Sequence, residues 1–178
     1  MQITHEQFSR LIYSSWDFQQ ALSATTFLLQ DCDFASKHSN VELRRFRCYE
    51  TTAIISFARP FEAARGKSVL GMRRIGIELS DAERALKARL LALRRGVIAH
   101  SDEDLMHFRS QVLAVGDSPG GRPVLPILTF VETLHLQEVD LRELELLLHK
   151  LIRGIALAIF ELAQADPDKF SIHKEPSR

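Results

Sequence analysis

Apolar residues recur at three- and four-residue steps along most of this chain, and four separate runs carry that helical period. The first spans about Thr4 to Gln30, with Phe8, Leu11, Ser15, Phe18, Leu22, Thr25 and Leu29 on one stripe and Ile12 and Trp16 widening it. Thr4 and Gln7 stand at capping-box spacing and set its start. After a polar interval from Ser36 to Asn40, a second run carries Leu43, Phe46, Glu50, Ile54, Phe57 and Phe61. Pro60 lies inside it; a missing N–H and a fixed φ predict a kink or interruption near Phe57. The basic, glycine-punctuated connection from Arg65 to Gly76 reads as irregular or partly helical. Ser80-Asp81-Ala82-Glu83 then caps a third helix that carries Leu86, Leu90, Leu93 and Val97. Ala85, Ala88, Ala92 and Ala99 form a second ridge, whose small side chains suit close helix packing within a bundle or across a dimer.

Past the third helix the texture changes. Ser101-Asp102-Glu103-Asp104 reads as a fresh N-cap opening a short helix toward Met106 and Phe108. From Gln111, two β-prone runs flank a Gly116–Gly121 turn cluster and predict a hairpin or extended flap over 111–130, held to an edge by its prolines. The last helix starts near Asp140, is apolar on more than one side, and ends at Asp166-Pro167; this predicts a central place in the core. A polar, frayed tail is expected over 168–178. The fold expected is mainly α, an up-and-down bundle of four to five helices with a small β-hairpin. One domain over 1–178 is long enough to bury about 70% of its unfolded surface.

Composition narrows the partners. Lysine plus arginine equals aspartate plus glutamate at 23 each, so no global basic field is present and any RNA contact must be local. Cys32 and Cys48 lack metal-type spacing and read as reduced, buried thiols. The start carries no signal-peptide pattern and no run reaches the length of a membrane span, so a cytoplasmic protein without membrane contact is expected. Glu132 and His135 have the Glu-x-x-His spacing of helical di-iron sites, but no second copy exists, and neither metal nor cofactor is expected. His107 and His149 have no ligand-like spacing, and the arginines at 44, 45, 47, 73 and 74 read as solvated charge.

One stretch carries candidate chemistry, Leu93-Arg94-Arg95-Gly96-Val97-Ile98-Ala99-His100-Ser101-Asp102. An arginine offers a planar fork suited to phosphate, and histidine titrates near neutrality. The segment resembles the Arg, four to six residues, His motif of the HEPN superfamily, most closely in the tetrad Ala99-His100-Ser101-Asp102. That resemblance implies a small helical bundle that dimerises and, in many members, a metal-independent ribonuclease of toxin and defence systems, partnered by an antitoxin or other protein. It makes Arg95 and His100 the catalytic positions. Arg94, Ser101 and Asp102 are candidate binding or orienting residues. Gly96 stands where the family usually has a polar residue, and a register starting at Arg94 places Arg95 there instead, so either arginine fits. In an unbroken α-helix Arg95 and His100 would diverge by about 140°, so cooperation on one phosphate requires the helix to loosen between Gly96 and Ser101. The other reading open at this point is a catalytically silent helical protein, with the segment only ending a helix and the apolar faces binding a second copy or a partner.

Overall fold

The computed structural model describes residues 4–63, 68–98, 108–114, 124–130 and 132–167. Among the described residues there are four α-helices and one two-stranded ribbon: α1 His5–Asp31, α2 Asn40–Ala58, α3 Asp81–Leu93, β1 Phe108–Ala114, β2 Val124–Phe130 and α4 Glu138–Ala165. The fold is mainly α with a small antiparallel hairpin, as the periodicity predicts.

Three starts are fixed by reciprocal caps. Thr4 and Gln7, Ser39 and Glu42, and Ser80 and Glu83 each exchange side-chain and backbone hydrogen bonds across the first turn of α1, α2 and α3. At α4 the Gln137 N–H donates to Asp140 Oδ2 at 2.8 Å, which starts the helix two residues ahead of the expected Asp140. Pro60 acts as expected in kind: α2 stops at Ala58 and the chain tightens into a 3₁₀ turn at Arg59–Phe61. The basic connection is partly helical, with a second 3₁₀ turn at Met72–Ile75 closed by Gly76 in the left-handed region at φ 64°.

α1 and α2 lie antiparallel, since Phe18 meets Phe57 at one end (ring centroids 6.1 Å apart) and Phe27 meets Tyr49 at the other (5.9 Å). α4 closes the core with Leu141, Leu144, Leu147, Leu148, Leu151 and Ile155, none more than 1% exposed. Its central role was legible in its two-sided apolar pattern. Leu86 and Leu90 carry α3 onto the same cluster. The buried Arg10 guanidinium donates from Nε to the Ser68 carbonyl and from Nη1 to the Arg59 carbonyl at 3.4 Å, tying α1 to the Arg59–Phe61 turn and to the chain at Ser68.

Several expectations are corrected. Ile12 and Trp16 do not widen the buried stripe of α1 but are 41% and 62% exposed, because no helix among the described residues covers that flank. Ala85, Ala88 and Ala92 face outward, so the small-residue ridge meets no helix among the described residues. Cys32 is buried, whereas Cys48 is exposed on the outer face of α2. Phe108 opens strand β1 instead of ending a short helix, because its backbone pairs with Phe130 in a register running to Ala114 opposite Val124. The strands therefore begin three residues before the expected limit at 111. The proposed helix after Ser101, Ala99, the turn over 116–121 and the tail over 168–178 lie outside the described residues.

Candidate functional site

Two arginines project from the end of α3, and one carboxylate holds both. The α-helix ends at Leu93 and continues as a π-helical turn over Arg94–Ile98. Adjacent side chains on an α-helix point about 100° apart and would not normally share one acceptor. Here Arg94 Nε lies 2.9 Å from Glu62 Oε2, and Arg95 Nε lies 3.2 Å from Glu62 Oε1. An i→i+5 turn places more residues in each revolution than α geometry does, which narrows the angle between neighbours and lets both reach Glu62. The loosening expected between Gly96 and Ser101 thus begins earlier, at Arg94.

Glu62 follows the 3₁₀ turn built around Pro60, and its side chain is only 15% exposed. Arg94 and Arg95 are 40% and 66% exposed at the side chain, so their outer guanidinium edges face solvent. Arg95 is bound to Glu62 through Nε, so that contact does not use its two terminal nitrogens. Lys87 adds a third cation: its ammonium sits 3.9 Å above the Phe61 ring centroid, and burial pulls its pKa below the usual lysine value. The result is a local basic end on a chain of zero net charge, with Glu62 aligning the guanidiniums. His100, Ser101 and Asp102, the remaining expected site residues, lie outside the described residues.

Glu62 and Lys87 are additions to the expected site. Glu62 carries a readable signal, since it is the only acidic residue between Arg59 and Ile77 in a stretch rich in arginine and lysine. Its partner lies more than thirty positions away, and no local spacing reveals that.

A second polar cluster lies inside the bundle. Glu50 is 1% exposed, and its Oε1 accepts the N–H groups of His135 and Leu136, each at 2.7 Å. Burial pushes the Glu50 pKa up to about 7 against the opposing pull of those two hydrogen bonds. Arg89 closes the same corner by donating to the His135 carbonyl at 2.8 Å and to Asp140 Oδ1 at 2.6 Å. His135 Nε2 is buried without a partner among the described residues, and burial with the nearby Arg47 and Arg89 lowers its pKa. Glu132, the other half of the Glu-x-x-His spacing, accepts a bidentate fork from Arg44 at 2.6 and 2.9 Å. Arg44 is therefore paired where solvated charge was expected. Among the described residues no three His, Cys, Asp or Glu side chains converge as metal ligands, and no helix is long and apolar enough to cross a membrane.

These features define a mainly α bundle with a basic helix end and a projecting hairpin. Comparison with protein-family models, with curated proteins and with solved structures yields no match to this chain.

Proposed function

We propose that this chain is a HEPN-like, metal-independent endoribonuclease that acts on RNA as a homodimer, in the manner of a toxin or defence protein. The reading rests on the Arg94–Ile98 π turn, which loosens the helix directly ahead of His100 and sets Arg95, held by Glu62 through Nε, in a largely exposed position. In this reading His100 moves a proton to or from the ribose 2′-hydroxyl or the leaving oxygen, and Arg95 stabilises the charge that develops on the phosphorane. Arg94, Ser101 and Asp102 hold the phosphate or orient the imidazole. Glu62 is a positioning residue that presets the guanidinium fork.

The test is cleavage of single-stranded RNA by the purified protein in excess EDTA. Wild type cuts, His100→Ala is silent with an unchanged far-UV spectrum, and Arg95→Ala loses about 10²- to 10³-fold, the size of one removed charge-stabilising donor. Cleavage that survives His100→Ala overturns the reading.

One observation favours a second reading, a silent bundle that self-associates. Every residue of β1 and β2 is exposed, and neither strand packs on a helix among the described residues. Eight large apolar side chains of the ribbon, 37–66% exposed, present area on the order of the roughly 800 Å² per partner in a standard interface. On this reading wild type cuts no RNA, and Val112→Lys with Leu128→Lys converts a dimer to monomer in sedimentation.

A further inference from the structure

A separate cleft lies between the Met72–Ile75 turn and the C-terminal half of α4, away from Arg95. Its volume is about 560 Å³, within the range of small-molecule sites. The turn rests directly on the helix at Gly154: a Cβ there would stand 2.8 Å from both the Ile75 carbonyl oxygen and Ile77 Cγ1. Gly76, in the left-handed region, reverses the chain so that Ile77 returns against α4. The two walls are therefore in contact along the bottom of the cleft.

The lining changes character along α4. His149 and Arg153 stand at one end, Leu157 follows a turn later, and Glu161 stands at the far end. At 1.5 Å per residue, Arg153 and Glu161 are separated by about 12 Å along the axis. Arg74 faces them from the turn. Lys150, at the same end, is engaged by Glu83 at 2.8 Å and by the Glu78 carbonyl at 2.8 Å. Arg74 and Arg153 have no ion-pair partner among the described residues. Two unpaired guanidiniums offer planar forks for phosphate oxygens, Ile77 and Leu157 offer an apolar surface, and the Glu161 carboxylate accepts from an amine or hydroxyl.

We infer that this cleft binds a phosphate monoester with a flat body and a hydrogen-bond donor at its far end, of which a nucleoside monophosphate is the representative. Phosphate lies between Arg74 and Arg153, the body rests on Ile77 and Leu157, and the donor reaches Glu161. The inference does not depend on RNA cleavage or on His100.

The experiment is isothermal titration of the full chain with AMP, IMP, adenosine and inorganic phosphate, repeated on His100→Ala. AMP is expected to bind at least tenfold more tightly than adenosine or phosphate, in wild type and in His100→Ala alike. The Arg74→Ala, Arg153→Ala double variant loses at least tenfold, whereas Arg73→Ala, which removes a neighbouring exposed cation outside the cleft, loses less than twofold. Glu161→Gln weakens AMP more than IMP, which lacks the amine. Circular dichroism checks that each variant is folded. The inference is overturned if AMP does not bind, if phosphate alone binds as tightly as AMP, or if Arg73→Ala weakens AMP as much as the double variant. Binding of single-stranded RNA without AMP binding also overturns it, and because binding is read in His100→Ala as well, loss of cleavage leaves the result intact.

Discussion

Leu148 on α4 and Leu128 on β2 are the same side chain in opposite circumstances, 0% and 59% exposed. Around Leu148 a period of 3.6 gathers apolar residues onto one face, and the neighbouring helices supply matching faces. Around Leu128 a period of two spreads them over both faces of a ribbon. By the strand register, Phe108, Val112, Val124, Pro126, Leu128 and Phe130 share one face, while Leu113, Leu125 and Ile127 share the other. Among the described residues each strand of the ribbon packs on no element but the strand opposite. Apolar content alone therefore does not make a core; burial follows from having a second surface to meet, and an isolated two-stranded hairpin is marginal without one.

The largest test of that contrast is truncation in the bundle. Leu148→Ala is expected to cost about 3 to 4 kcal/mol in denaturant unfolding, because it removes buried methyl groups and leaves a cavity. If Leu128→Ala costs as much, the ribbon is buried in solution and the contrast fails.

Next comes the interior carboxyl. Glu50 has a folded pKa of about 7, above the ordinary 4.5, so the native state binds its proton more tightly. Its contribution is fully present below about pH 4.5 and is lost as pH rises through 7, on the order of 3 kcal/mol in all. His135, held below its ordinary value, acts in the opposite sense, and its contribution is lost as pH falls through the ordinary histidine range. Glu50→Gln should abolish the decline toward pH 7 while keeping the acid-side loss, which urea melts at several pH values would measure. An unchanged slope would sink the assignment.

A smaller effect is expected at Gly154→Ala, where the new methyl meets a backbone oxygen. About 1 to 3 kcal/mol of overpacking strain should appear as a lowered Tm. The smallest effect belongs to the ribbon. Leu128→Ser should change unfolding by less than about 0.5 kcal/mol, as for most surface substitutions, while shifting self-association measured by sedimentation. A large loss of stability with no change in association would instead mean that the ribbon folds onto its own bundle.

Local pattern carried much of this architecture. Thr4 with Gln7 and Ser80 with Glu83 announced two helix starts because a capping box needs only residues three apart, and Ser39 with Glu42 has the same spacing. The two-sided apolar pattern of α4 foretold its central position for a similar reason. What the chain did not disclose locally depends on distant partners. Glu50 reads as one polar residue on an apolar stripe until His135 and Leu136 arrive from 85 and 86 positions away. Phe108 looks like the end of a helix until Phe130 pairs with it. In the candidate site, Arg94 and Arg95 were legible from helix-end composition, but their pairing with Glu62 was not, because it joins positions more than thirty residues apart through the turn at Pro60.

The attachment of the ribbon has a mechanical consequence. Its departing leg is fastened to α2 twice within five residues, by Arg44 on Glu132 and by Glu50 on the amides of His135 and Leu136, before the chain enters α4. The hairpin is thus a lever with its fulcrum on α2. A load on the strands is delivered to a buried carboxyl that titrates near neutrality, and its two amide hydrogen bonds, which favour the charged form, tighten as that carboxyl loses its proton.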